Sequence, residues 1–199
     1  MIYFYQLIFL IATYFISAIP FGLILVKKYC NKDVRQSGSG NIGATNVVRV
    51  AGKKIGALTF LLDGLKGAIM VVLARFWFYE SANLHLFLVI ICGIAVLGHI
   101  YPIYLNFKGG KGVATMIFVI LALDPIVGFL MIVFWIMSFL MFRVSAISSI
   151  ISCISAIILS SHYEAPTSQL FLCIFLAIII IIRHKENIMR LLLGQENKM

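Results

Sequence analysis

The sequence predicts an all-α integral membrane protein, a seven-transmembrane-helix bundle with its amino terminus outside the cell and its carboxyl terminus in the cytoplasm. Three observations predict it. Hydrophobic residue types make up 62% of the 199 residues and charged types only 12%, and the mean hydropathy is +1.08, outside the range of soluble domains. Apolar runs recur along the chain at lengths that suit a bilayer. The sixteen Lys and Arg, which give a formal net charge of +9, gather on one set of connections between those runs. In a soluble protein that charge would suggest nucleic acid. Between apolar spans it reports orientation instead, and nucleic acid is not an expected partner.

The runs lie at about 2–26, 55–79, 84–105, 112–124, 125–142, 145–161 and 168–182. A hydrocarbon core of about 30 Å takes roughly 20 helical residues, so the first three cross comfortably and the others are short or tilted. The first has no basic stretch before it and no small-x-small cleavage site after it, so we expect a retained helix and not a removable signal. The stretch 112–142 reads as two crossings divided at Pro125, or as one helix kinked there. Charge decides between them. With seven crossings, Lys27 to Lys54, Lys108 to Lys111, Arg143 and the stretch Arg183 to Lys198 share one side, holding fourteen of the sixteen Lys and Arg. The opposite connections, around Glu80, Asp124 and Glu164, carry acids and no base, so the basic side faces the cytoplasm. A single kinked helix would push Arg143 or the tail outward, against that rule. The chain is expected to form one polytopic domain over 1–199, in the plasma membrane.

Cys30, Cys92, Cys153 and Cys173 lie scattered with no CxxC spacing and read as packing residues; no metal or cofactor is expected. Within the second run, Asp63 and Lys66 lie three apart on one helix face. Each alone would be costly in hydrocarbon, so an internal pair with a structural role is expected. Gly64 and Ala68 offer a small-xxx-small contact.

Chemistry is expected in three cytoplasmic segments. The first is Ser37-Gly38-Ser39-Gly40-Asn41-Ile42-Gly43-Ala44-Thr45-Asn46, ending at Arg49 and Lys53-Lys54. Small residues at this density let backbone amides turn to one point, and hydroxyls with a nearby Arg complete a cradle for phosphate oxygens. Gly38 to Gly43 fits GxGxxG literally, but no strand precedes it, so a dinucleotide site is discarded. The second runs from Gly98-His99 through Tyr101-Pro102 into Asn106-Phe107-Lys108-Gly109-Gly110-Lys111-Gly112. Two Lys among glycines suit an anion, though no Ser or Thr follows as in a Walker loop. Lys108 reads equally as a snorkelling charge, Lys111 better as a ligand, and His99 as either packing or site. The third, Arg183-His184-Lys185-Glu186-Asn187, brings a histidine and an amide onto neighbouring turns, or else forms an amphipathic tail against anionic lipid. Ser145, Ser148 and Ser149, early in the sixth run, would join this site or bond their own helix carbonyls.

Together these motifs, covering essentially the whole chain in order, resemble the bacterial acyl-phosphate:glycerol-3-phosphate acyltransferase family. The resemblance implies transfer of a fatty acyl group from acyl phosphate to the 1-hydroxyl of glycerol 3-phosphate, giving lysophosphatidic acid, with functional coupling to the enzyme that makes acyl phosphate. It implies that Ser39 and its loop amides, with Gly40, Asn41, Thr45 and Asn46, hold a substrate phosphate, as would Ser145. Arg49, Lys111, His184 and Asn187 would bind glycerol 3-phosphate or neutralise its charge, with Lys108, Gly109, Gly110 and Gly112 around them. His99 and Glu186 match the pattern too. Arg143 departs from it, where relatives are expected to have an aromatic nearby.

Acyl phosphate is a mixed anhydride with phosphate as leaving group, so charge stabilisation is needed more than a strong base. The His-x4-Asp pair typical of other glycerolipid acyltransferases is absent: Ile90, Tyr104, Thr167 and Met189 stand five residues after the four histidines. Direct attack is expected, with a substrate phosphate or His184 taking the proton, without acyl-enzyme or metal. Acyl-CoA is not the expected donor, since no adenine pocket or further basic surface is apparent. Two rivals are a carrier for a phosphorylated metabolite, for which inverted repeats are wanting, and a scaffold, which leaves the glycine and serine loops unexplained.

Overall fold

The structure is a computed structural model that describes residues 1–198. The described residues form nine α-helices and two short 3-10 turns, with no strand. In order these are α1 (Ile2–Ser17), α2 (Phe21–Cys30), α3 (Ala44–Trp77), α4 (Leu84–Ile100), α5 (Val113–Leu123), α6 (Pro125–Phe142), α7 (Ser145–His162), α8 (Thr167–Arg183) and α9 (Lys185–Leu192). The chain divides into two compact units, Met1–Val119 and the part from Ile120 onward.

In the first unit the run expected at 2–26 is broken. Pro20 lacks the N–H that would continue the ladder, so α1 and α2 are separate helices, although Ile2–Cys30 together is apolar enough for one crossing. The next helix begins at Ala44, earlier than the run at 55 indicated, and Gly52 breaks it with φ 85° and ψ 170°. Hydropathy found only the apolar part. Thr45, Asn46 and Arg49 therefore stand on a helix and not in a loop. At the carboxyl end of α3, Phe9 of α1 meets Trp77 and Phe78 edge to face at 5.8 and 5.6 Å, and Phe78 meets Phe87 of α4 at 5.1 Å. Gly64 lies directly against the Phe118 ring and Gly67 against Val119, so small residues on α3 admit α5 at close range, through Gly64 and Gly67 where the spacing had pointed to Gly64 and Ala68.

In the second unit, Asp124 is extended before Pro125 and caps α6, its Oδ1 accepting from the Val127 N–H at 3.2 Å. Gly128 lies against the Leu121 backbone, so the chain turns back here and the single kinked helix is excluded. A stripe of Ser148, Ser152, Ser155, Ala156 and Ser160 is buried along α7, small enough for close packing where lipid gives helices no hydrophobic drive to associate. The Ser152 hydroxyl donates to the Met131 carbonyl of α6 at 2.9 Å, and the amide of Gln169 in α8 donates to Asp124 Oδ2 at 2.8 Å.

Five stretches are long and apolar enough to cross a membrane: Ile2–Cys30, Ala44–Trp77, Leu84–Leu105, Pro125–Phe142 and Ser145–His162. Thr167–Arg183 with Lys185–Leu192, bent by 59°, makes a sixth if taken as one span. The helix α5, with 11 residues, extends about 16 Å at 1.5 Å per residue and is shorter than the hydrocarbon core. The fold is thus an all-α multi-span bundle with five or six candidate crossings. Phe76, Phe129 and Met141 stand exposed on it, as the bilayer requires.

Candidate active site

The first loop is tied by its own side chains. Asp33 Oδ1 accepts from the Arg35 N–H at 2.9 Å, starting the turn Val34–Gln36, and Oδ2 takes the Arg35 guanidinium at 2.7 Å. Those hydrogen bonds from Arg35 hold the Asp33 carboxyl at about 2 and raise the guanidinium in turn. Gly38 and Gly40 then take φ of 63° and 71°, backbone that favours glycine. Asn46, on the first turn of α3 and buried, reaches back under the loop. Its Oδ1 accepts from the Ser39 N–H at 2.8 Å, and its amide N–H groups are shared among the carbonyls of Val34, Ser37 and Asn41 at 2.9 to 3.1 Å. A Cβ at Gly38 would collide with that Oδ1. Asn41 Oδ1 takes the Gly43 N–H at 2.8 Å.

Ser39 and Gly40 lie exposed at the crest, above an apolar base of Val26, Val34, Ile42 and Val47. Arg49 follows Thr45 by one helical turn, exposed, just before the break at Gly52. Leu105 packs on the same apolar base. It belongs to the turn Ile103–Leu105 that leads into the second loop, so the first two motifs lie side by side in one unit.

The second loop folds back on the last turn of α4. The Gly109 N–H donates to the Ile100 carbonyl at 3.1 Å and the Gly110 N–H to the His99 carbonyl at 3.2 Å. Gly110 sits so close to the imidazole that any Cβ would overlap His99 Nε2. Lys108 is exposed, Lys111 half-buried, and Gly112 takes φ 90°.

His99 is buried and belongs to a polar cluster. Lys66 Nζ lies 2.8 Å from Asp63 Oδ1, 2.7 Å from the Ile19 carbonyl and 3.1 Å from His99 Nδ1. The expected pair is present, with a third member that spacing did not show. An ammonium only donates, so Nδ1 accepts and the neutral ring carries its proton on Nε2.

The third motif lies in the second unit. His184 Nδ1 is 2.8 Å from the Ile180 carbonyl, which only accepts, so the neutral ring has Nε2 as its basic atom. His184 caps α8 and precedes α9, so Arg183 and Asn187 fall on different helices across the bend. Asn187 is buried and its Nδ2 donates to Glu196 Oε1 at 2.8 Å, while Glu196 Oε2 takes the Arg190 guanidinium at 2.7 Å. Sequence reading missed Glu196; its signal was an acid two residues past Gly194, which takes φ 68° after the amphipathic α9. Glu186 is exposed and Ser145, the first residue of α7, is half-buried. Ser148 and Ser149 donate to the carbonyls of Val144 and Ser145, the local alternative of the two expected. Among the described residues no group of three His, Cys, Asp or Glu is placed to hold a metal.

A family model described as glycerol-3-phosphate acyltransferase matches residues 7–194. The glycerol-3-phosphate acyltransferase of Ehrlichia canis (strain Jake) is 43% identical over 190 residues, covering 95% of this chain and 96% of that protein. That of Aquifex aeolicus (strain VF5) is 41% identical over 189 residues, covering 94% and 96%. Crystal structures of PlsY, an integral membrane glycerol 3-phosphate acyltransferase, are similar over 98% of this chain and 95% of theirs. The glycerol 3-phosphate form is 40% identical with a TM-score of 0.90, and the lysophosphatidic acid form 39% identical with a TM-score of 0.87.

Proposed function

We propose a donor, a mechanism and an orientation for this chain, which belongs to the glycerol-3-phosphate acyltransferase family and is a membrane-integral acyltransferase acting on glycerol 3-phosphate. The donor is acyl phosphate and the product 1-acyl-glycerol 3-phosphate. The observation that carries this reading is one apolar base that packs under the first glycine-rich loop, with its hydroxyls and amides, and against Leu105, which leads into the loop that bears Lys111.

The 1-hydroxyl oxygen of glycerol 3-phosphate attacks the acyl carbonyl carbon, the bond from that carbon to the phosphate oxygen breaks, and inorganic phosphate leaves. The proton passes to a substrate phosphate or to Nε2 of His184. Ser39 and the amides of its loop hold the donor phosphate, which gathers charge as it leaves. Arg49 grips the acceptor phosphate through a guanidinium fork, with Lys111, His184 and Asn187 assigned to the same substrate. Asn46 acts by fixing the loop that it ties. The family match spans both units, which supports one functional domain.

Purified protein given acyl phosphate and glycerol 3-phosphate is expected to release lysophosphatidic acid and phosphate in equal amounts, without a covalent acyl-protein. Activity with acyl-CoA alone, or a trapped acyl-protein during turnover, contradicts the scheme.

For orientation we propose seven crossings, α5 being a short one, with the basic loops cytoplasmic. Single cysteines at Ala82 and Thr167 are expected to react with an impermeant reagent outside intact cells, and those at Gln36 and Asn197 to stay unlabelled. Labelling of Asn197→Cys from outside overturns the count.

A further inference from the structure

The glycine-rich loop before α5 carries Lys111, yet glycines alone do not hold a lysine in place. Both ends of this loop are tied to one turn of α3. On the α4 side, His99 presses its Nε2 against Gly110 while its Nδ1 takes a hydrogen from Lys66. On the α5 side, the Thr115 hydroxyl donates to the Asp63 carbonyl at 2.9 Å. Lys66 also reaches the Ile19 carbonyl at the break between α1 and α2, and its ammonium lies 5.7 Å from the centre of the Phe21 ring. All three ammonium hydrogens thus have acceptors on different segments, and the side chains of Asp63 and Lys66 are each 2% exposed.

We propose that Asp63, Lys66 and His99 are positioning residues for catalysis, which fix the loop Lys108 to Gly112 so that Lys111 meets the acceptor phosphate. A buried ion pair is a poor device for stability alone, since apolar residues of similar volume often serve as well. What apolar residues do not supply is direction. The carboxylate fixes the ammonium, the ammonium fixes the imidazole through Nδ1, and the Nε2 edge of the imidazole sets where Gly110 rests. The loop bonds its backbone to α4 at Gly109 and Gly110, and the His99 ring of the triad stands against Gly110.

The inference rests on the proposed function only in taking glycerol 3-phosphate as the substrate that Lys111 meets. The test uses the double variant Asp63→Leu/Lys66→Met, in which no charge is stranded, and His99→Ala, which keeps the ion pair. Each is purified in detergent and followed by thermal unfolding, by amide exchange of the peptide holding residues 108–112, and by kinetics with glycerol 3-phosphate varied. We expect both variants to fold, exchange of that peptide to quicken at least about fivefold, and KM for glycerol 3-phosphate to rise about tenfold, as loss of one oriented charged contact does. KM for acyl phosphate is expected to stay within about twofold. Adding Gly110→Ala to His99→Ala puts a methyl in the vacated space and is expected to bring KM back toward the wild-type value. Unchanged exchange overturns the inference, and so does faster exchange with an unchanged KM. If wild-type protein failed to turn over glycerol 3-phosphate, the functional reading would fall, while the exchange measurement would still decide whether the triad orders the loop.

Discussion

The loops at 37–46 and 108–112 belong to one compact unit and are built to opposite plans. The first is held locally: Asn46, Asn41 and Asp33 each bond backbone within a dozen residues, so the segment encodes its own shape. The second bonds back to the last turn of α4 and takes further support from Asp63 and Lys66, more than thirty residues away along the chain. A self-tied loop tolerates changes in the bundle beneath it, whereas a braced loop inherits every disturbance of the brace.

The largest effect should come from splitting the brace. Lys66→Met alone strips the buried Asp63 carboxylate of its ammonium and leaves His99 Nδ1, 3.7 Å away, to face it, at a cost of about 3–5 kcal/mol. Thermal unfolding in detergent is expected to show that loss, and the double variant Asp63→Leu/Lys66→Met to recover most of it. If Lys66→Met were as stable as wild type, the pair would carry no charge and the contrast between the loops would collapse.

Asn46→Ala tests the other side of the comparison. It bares the Ser39 N–H and up to three carbonyls, each worth about 1–3 kcal/mol when buried but less where water reaches them. We expect a total near 3 kcal/mol, with turnover falling more than KM for glycerol 3-phosphate. Because its ties are local, this variant should leave exchange at 108–112 unchanged; faster exchange there would show that the two loops are one unit.

The smallest effect belongs to Asp33. Its folded carboxyl is depressed to about 2 from 3.8, so its contribution is present above the ordinary carboxylate range and is lost only as pH falls through about 2. Asp33→Asn is expected to lower the unfolding temperature slightly and equally at about pH 5 and pH 8, the gap narrowing only toward pH 2. A gap that changed between those two higher values would mean that Arg35 is not its governing partner.

How much of this was legible follows the same division. The glycines and hydroxyls of the first loop declare a turn, and Asn46 lies within the motif, because local ties leave local traces. The split at Pro125 was readable from charge, and the structure gives its cause in the cap by Asp124. The breaks at Pro20 and Gly52 were not foreseen, since hydropathy averages over them and the polar start of α3 carries no apolar signal. The seventh crossing rests on counting α5, an apolar helix of 11 residues, as a short span of its own. The Asp63–Lys66 pair was visible at i,i+3, but His99 joins it across 33 residues, and no spacing rule reaches that far. Glu196 lay beyond the motif that was read, and only the fold brings it to Asn187.

The central claim is that two separate sets of groups hold the two phosphates, the self-tied loop taking the donor and Arg49 the acceptor. It is tested most directly by Arg49→Lys in steady-state kinetics with each substrate varied in turn. Lysine keeps the charge but not the fork. Losing a charge-assisted bond of about 1.5–3 kcal/mol should raise KM for glycerol 3-phosphate about ten- to a hundredfold while leaving the acyl phosphate dependence in place. An unchanged glycerol 3-phosphate dependence with weakened use of acyl phosphate would mean that the two sites are assigned the wrong way round.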